Sequence, residues 1–222
     1  MTLAPPTAGT PTLVLERLPD APHEPDSVVD APLVGFDAFL ADHRLYGWIR
    51  LTADRLTDLL NAHSELALDN VTLERLSDGR VEWHERLLVD RRHLIAVRAG
   101  GPRGDQALRQ LTRPYPLVVQ SGSYLIGGYL HARPGVEPLQ ELESRPVMVP
   151  LSMGWLEFWA DGRRRHYWVG TIIFSRTLAE AIEVVPEEAL EFGATEHPIR
   201  AGVGLRAAYD GLPGHSTPAH GS

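Results

Sequence analysis

The chain of 222 residues contains no cysteine, and all 21 of its basic residues are arginine rather than lysine. The absence of cysteine excludes disulfides, thiol catalysis and thiolate metal sites. Apolar runs are only a few residues long, which argues against a membrane-spanning helix, and the N-terminus lacks the regions of a signal peptide. These absences predict a cytoplasmic protein that does not bind membranes.

Arginine supplies all of the positive charge. The guanidinium group binds phosphate and carboxylate through paired hydrogen bonds, which would suit nucleic-acid recognition. A GC-rich genome also produces such a composition, together with abundant Ala, Gly and Pro, and we favour that explanation. The net charge is −8, and the excess acid lies at the two ends of the chain, whereas residues 33–185 are nearly neutral. A nucleic-acid partner is therefore possible but disfavoured.

The pattern Leu-Glu-x-x-x-Asp-Gly-Arg occurs twice, around Asp78-Gly79 and around Asp161-Gly162. Asp-Gly is favoured in tight hairpin turns, because Gly tolerates a positive φ and Asp tolerates the left-handed region. Apolar residues flank both pairs on either side. We therefore predict a β-hairpin turn at Asp78 and Gly79 and another at Asp161 and Gly162, with a structural role.

The sequence around these turns also repeats in order: a glycine-bearing strand, a short helix, a strand, the hairpin and a final strand pair. We predict a mainly β protein with two tandem, duplicated small β-barrels of the SH3-like or Sm-like type, each with one short helix. The first barrel spans residues 33–100 and the second 119–185, joined by a linker at 101–118. Residues 1–32 form a flexible, acidic, Pro-rich arm, and residues 186–222 an acidic flexible tail.

The order of these elements resembles the Sm-like small β-barrels. In that family an Asn-containing strand pair and a late strand turn form a uridine-binding loop. The first copy is similar at Asp69-Asn70 and at 90–92, whereas the second copy has Met153-Gly154 and 175–177 instead. The layout also resembles uncharacterised bacterial domains with a Gly-aromatic-aliphatic strand followed by "RLTDLLN". The resemblance implies a small β-barrel and, as an alternative function, binding of RNA or single-stranded nucleic acid.

Motifs for catalysis or cofactor binding are missing from the sequence. There is no HExxH, no GxSxG and no phosphate-binding loop, and the ten histidines show no metal-ligand spacing. We predict no catalytic residue, no cofactor and no metal. A hydrolase that uses His and a carboxylate is the third hypothesis, because a small barrel says nothing about chemistry.

One candidate interaction surface combines arginines with aromatic residues, which we place at corresponding hairpins of the two copies. Such residues bind single-stranded nucleic acid and also dominate protein–protein interfaces, whereas packing inside each barrel would make the aromatic residues structural. The candidate residues are Trp83, Arg91, Arg92, His93, Trp155, Trp159, Arg163, Arg164, Arg165, Tyr167 and Trp168. We predict a non-enzymatic protein-binding or assembly subunit of a bacterial complex, acting on a protein partner or on itself.

Overall fold

The structure, a computed structural model, describes residues 31–102 and 111–191. Within these residues the fold is mainly β, as the sequence predicts, and no helix is long and apolar enough to cross a membrane. The predicted arm up to residue 30 and the predicted tail from residue 192 lie outside the described residues.

The elements fall into two halves that have the same order. The first half contains β1 (Leu33–Phe39), β2 (His43–Arg50), α1 (Leu56–Ala62), β3 (Glu65–Arg75), β4 (Val81–Asp90), a 3-10 turn (Arg91–His93) and β5 (Ala96–Arg98). The second half contains β6 (Arg113–Ser121), β7 (Tyr124–Ala132), α2 (Pro138–Glu143), β8 (Met148–Ala160), β9 (Arg163–Ser175) and β10 (Ala181–Val184), followed by α3 (Glu187–Glu191).

Local sequence accounts for the two helices inside the halves. In α1, Leu56, Leu59 and Leu60 follow the spacing of one helical face, and all three are buried. In α2, Pro138 stands in the first turn, where its missing N–H costs nothing. Glu137 precedes it and accepts a hydrogen bond from the Gln140 backbone N–H at 2.9 Å, so its carboxylate caps the helix.

The ten strands form one antiparallel sheet in the order β10-β6-β7-β8-β9-β5-β1-β2-β3-β4. Each half therefore has its fifth strand beside its first, followed by its second, third and fourth. The halves are joined where β5 pairs with β9, with Ala96 opposite Phe174, Val97 opposite Ile173 and Arg98 opposite Ile172.

The two predicted barrels are not separate closed units. The strands form a continuous sheet that is not closed, with β4 and β10 at its two ends. The reason lies in β5, which pairs on one side with β1 and on the other with β9. Because both of its edges are occupied, β5 does not pair with β4 within the first half.

The boundaries of the second half also differ from those expected. Strand β6 begins at Arg113, inside the segment 101–118 that the sequence assigns to a linker. Pro114 and Pro116 led to the prediction of a linker, because proline lacks the N–H that a paired strand needs. Strand β10, however, pairs with β6 only from Leu117 to Gln120, so neither proline lies opposite β10. The start of β6 therefore lies at a sheet edge among the described residues, where proline is tolerated. Helix α3 lies inside the predicted tail.

Two large hydrophobic clusters form the core, and each contains residues from both halves. The first half's cluster includes Met148 and Ile173 from the second. The second half's cluster includes Phe39 and Ile95 from the first. Burial of such side chains is worth about 1.5–3 kcal/mol each, so the two halves stabilise one another.

Candidate functional site

The two Asp-Gly pairs lie in the two turns that close the β3–β4 and β8–β9 hairpins. Asp161 (φ 52°) and Gly162 (φ 68°) form a two-residue connection with positive φ at both positions, the geometry of a type I′ turn. The first connection is longer, residues 76–80, and contains Gly79 at φ 68°. The sequence pattern thus marks the turns, although their lengths differ.

The tips of these two hairpins touch each other. The Asp161 backbone N–H donates a hydrogen bond to the carbonyl of Leu76 at 2.9 Å. A Cβ atom at Gly79 would lie 3.0 Å from Oδ1 of Asp161. The Asp161 carboxylate also accepts from Arg165 at 2.7 Å. The repeated motif therefore lies where the two halves meet, and Asp161 of the second copy takes part in that contact.

The aromatic members of the candidate surface divide into buried and exposed residues. Trp155 is 2% exposed and packs with Leu125 and Leu190. Tyr167 is half-buried, and its ring stacks on Phe158. The exposed members are Trp83 (64%), Trp159 (40%) and Trp168 (54%). Only these three present an aromatic surface to solvent.

The two arginine clusters are not at corresponding hairpins, and that interpretation is wrong. Residues Arg163–Arg165 begin β9 directly after its turn, whereas Arg91–His93 follow the far end of β4. Strand β4 is 10 residues long, so its two ends lie about 33 Å apart. The error arose because both clusters stand next to a strand end, and the sequence does not show which end.

Arg91 instead has a structural counterpart in Arg176, in the β9–β10 connection. The Arg91 guanidinium donates to the carbonyls of Leu60 (3.0 Å) and Asn61 (3.1 Å) at the end of α1. Arg176 donates to the carbonyl of Arg145, just after α2, at 3.1 Å. Each arginine satisfies carbonyl groups that a helix end leaves without partners. Arg91 is thus engaged in holding a helix.

Most other arginines of the candidate surface face a carboxylate. Arg92 binds Asp90 at 2.7 Å, and its side-chain and backbone hydrogen bonds lower the pKa of Asp90 to about 2. Arg164 binds the buried carboxylate of Glu157 at 2.5 Å, and Arg165 binds Asp161 as described. A phosphate would have to compete with these carboxylates. Arg163 is exposed, as is His93.

His166 lies between two indole rings. Its ring stacks on Trp155 with centroids 5.5 Å apart and meets Trp168 edge-on at 5.7 Å. Burial lowers the pKa of His166; Glu157 opposes that shift and Arg164 adds to it. Nδ1 lies 3.8 Å from Glu157, beyond hydrogen-bond length. The imidazole packs as an aromatic ring, and neither of its buried nitrogens has a hydrogen-bond partner in the described chain.

A hydroxyl–imidazole pair occurs on β7 and β8. His131 Nε2 lies 2.7 Å from the Ser152 hydroxyl, and its Nδ1 lies 3.3 Å from the Thr112 hydroxyl. Burial and the nearby Arg145 lower the pKa of His131. A serine nucleophile needs a third group that stabilises imidazolium, and here a hydroxyl occupies that place. In the described part of the chain, no three His, Asp or Glu side chains could hold a metal ion.

Strand β4 carries a feature that sequence reasoning missed. Its exposed apolar side chains include Leu88 (68%), Trp83 (64%) and Val81 (40%). Among the described residues β4 pairs only with β3, so its other edge is unpaired. The available signal was the run Leu87–Val89, because three consecutive apolar residues in a strand place apolar groups on both faces.

No protein-family model, no curated protein and no solved structure matches the chain. The fold alone therefore defines its class: a mainly β protein built on one open, ten-stranded antiparallel sheet.

Proposed function

We propose that this protein is a non-enzymatic assembly subunit of a cytoplasmic bacterial complex, and that it binds protein through its unpaired sheet edge. The observation that carries this proposal is β4, a strand of 10 residues that is paired on one side only within the described chain and exposes Trp83 and Leu88. Unpaired N–H and C=O groups beside exposed apolar side chains are a template for a strand from another chain.

We further propose that each half is a small-barrel unit of the Sm-like or SH3-like type, derived from one duplicated ancestor. The shared strand order supports this, and so does a shared irregularity. The β2–β3 ladder shifts register between Tyr46 and Trp48, and the β7–β8 ladder shifts between Gly127 and Tyr129. Opposite each shift stands a non-glycine residue with positive φ, Asn70 (51°) in the first half and Met153 (47°) in the second.

Nucleic-acid binding is the second candidate, favoured by the exposed indole rings of Trp83 and Trp168 and by the exposed side chain of Arg163. The carboxylates that face Arg92, Arg164 and Arg165 weigh against it. Salt distinguishes the two functions, because each phosphate contact releases counterions. Oligonucleotide binding at physiological salt that is lost in a variant with alanine at 92 and 163–165, which circular dichroism shows to be folded, would favour the second candidate over the first.

A photo-crosslinking amino acid in place of Trp83 tests the proposed function in native extract. The control position is Arg55, which is exposed and directly precedes α1. We expect a protein adduct at position 83 that survives nuclease and is absent at position 55. Adducts that disappear after nuclease treatment, or equal adducts at both positions, would overturn the proposal.

A further inference from the structure

Each half carries an exposed tryptophan at the same position of its fourth strand. Trp83 on β4 lies opposite Thr72 on β3, and Trp168 on β9 lies opposite Trp155 on β8. Thr72 and Trp155 in turn each lie opposite the last residue before the β2–β3 or β7–β8 ladder shifts register. Trp83 and Trp168 are therefore equivalent, and they are 64% and 54% exposed.

Burial does not account for this shared tryptophan. Other residues that the β3–β4 and β8–β9 hairpins share have structural positions, as core leucines (Leu73 and Leu156), buried glutamates (Glu74 and Glu157) and turn residues (Asp78-Gly79 and Asp161-Gly162). Trp83 and Trp168 instead present more than half of their surface to solvent. Exposed tryptophan is the residue type that most often dominates the binding energy of protein–protein interfaces.

The two equivalent tryptophans can share a role only through the face of the sheet. Strand β9 is paired on both sides, with β8 and with β5, so a strand of another protein has no edge to join there. Trp168 nevertheless exposes its indole on that strand. A role common to Trp83 and Trp168 therefore requires a partner that lies on the face of the sheet.

Helix α3 shows what kind of element packs beside the second tryptophan. Leu190 of α3 is 4% exposed and packs with Trp155 and Leu125, and Glu187 at the start of α3 accepts a hydrogen bond from the Tyr129 hydroxyl at 2.9 Å. Trp155 lies directly opposite Trp168, and directly opposite residues lie on the same face of a sheet. A short helix with a leucine thus covers one indole of this face and leaves its neighbour exposed.

We propose that Trp83 and Trp168 are the centres of two equivalent docking sites, and that each site takes the same amphipathic helix of a partner protein. The helix lays an aliphatic side chain on the indole, as Leu190 lies on Trp155. One chain therefore binds two copies of the partner and holds them together. The inference rests on the proposed protein binding at Trp83 and adds a second site in the other half.

The charged residues on the same two strands favour protein over nucleic acid at these sites. On β4, Arg86 donates to the Asp69 carboxylate at 3.2 Å. On β9, Arg164 lies 2.5 Å from the buried carboxylate of Glu157. A phosphate would have to displace these carboxylates, whereas an aliphatic side chain needs only the exposed face of an indole.

A photo-crosslinking amino acid in place of Trp168, compared with the same group in place of Trp83, tests the inference in native extract. The control position is Arg92, whose side chain is 83% exposed and which follows the far end of β4. We expect the same segment of the same protein to be captured at positions 83 and 168 and not at position 92. Different proteins at the two positions, or no adduct at 168, would overturn the inference, and an adduct at 83 alone leaves the proposed function standing.

A synthetic peptide of the captured segment then tests the number of sites by isothermal titration calorimetry with the full chain. We expect two peptides per wild-type chain, one for Trp83→Ala, one for Trp168→Ala and none for the double variant, with circular dichroism showing that the peptide becomes helical and that each variant is folded. Trp159→Ala is the matched control, because Trp159 is also an exposed tryptophan but lies on β8, and it should keep both sites. One peptide per wild-type chain, an extended bound peptide, or an equal loss in Trp159→Ala would overturn the inference.

Discussion

Gly79 and Asp161 lie in direct contact at the tips of two hairpins that belong to different halves of the chain. A Cβ atom at Gly79 would lie 3.0 Å from Oδ1 of Asp161, and the Gly79 backbone has a φ of 68°. Only glycine satisfies both conditions without strain. The contact shows that the second turn serves as a partner for the first.

Replacement of Gly162 and of Gly79 by alanine should separate the cost of the positive φ from the cost of crowding Asp161. Gly162→Ala faces only the positive φ, because nothing lies within 4 Å of its Cβ, and we expect a loss of ~1 kcal/mol in the free energy of unfolding. Gly79→Ala has the same φ and also crowds Asp161, so we expect a loss of ~2 kcal/mol or more. Urea denaturation measures both values. Equal losses would mean that the Asp161 side chain moves aside at no cost in free energy.

Asn61 should be the most sensitive polar residue of α1. Its side-chain oxygen accepts from the Met148 N–H at 3.0 Å, and its nitrogen donates to the Met148 carbonyl at 2.9 Å. Asn61→Ala leaves both backbone groups without this partner, and we expect a loss of ~1–3 kcal/mol in unfolding free energy. Arg55→Ala, which breaks an exposed ion pair with Asp58 on the same helix, should cost less than ~1 kcal/mol. If the two losses are similar, the pair of hydrogen bonds between the Asn61 side chain and the Met148 backbone does not stabilise the fold.

Local signals in the sequence predicted the parts of the fold that depend on local chemistry. Asp161 and Gly162 mark a turn because few residue pairs tolerate positive φ, and Leu56, Leu59 and Leu60 mark a helix by their spacing. The mainly β class followed from the same kind of signal. These features need no knowledge of distant residues.

Local sequence signals could not predict that the two halves are joined through the β5–β9 pairing. Strand β5 has only three residues, and nothing in Ala96–Arg98 indicates whether its partner is β4 or β9. Burial of Trp155 is equally non-local, because the ring lies over Gly127, where a Cβ would come within 2.2 Å of it. The candidate surface predicted from the sequence therefore wrongly included Trp155, which is in the core, and omitted Leu88, which is exposed on the edge strand.

The buried ion pair between Asp37 and Arg44 gives a third prediction. Arg44 donates to both carboxylate oxygens at 3.0 and 2.9 Å, and it lies 5.2 Å from the Tyr167 ring of the other half. Asp37→Ala should cost ~3–5 kcal/mol, because it leaves a buried guanidinium without its partner. The double variant Asp37→Ala, Arg44→Met should cost clearly less than the sum of the single variants. A double-mutant cycle in denaturant measures this coupling, and simple additivity would contradict it.

His166 should make the stability of the protein depend on pH. Burial lowers its pKa in the folded state below the usual 6.5, so between these two pKa values the unfolded chain binds more protons. Stability therefore rises with pH across this window, and it is lost as the pH falls from about 6.5 towards the folded-state pKa. Unfolding free energies at a series of pH values measure the slope for the wild type and for His166→Gln.

Glutamine does not titrate, so the variant should show a smaller fall in stability below pH 6.5 than the wild type. His131, whose pKa burial also lowers, should supply the remaining slope. At pH 8 both histidines are neutral, and the difference between variant and wild type there measures only the lost packing against Trp155 and Trp168. A gap between the two curves that stays constant from pH 8 to pH 5 would show that the imidazole of His166 titrates alike in the folded and unfolded chains, which its burial between two indole rings opposes.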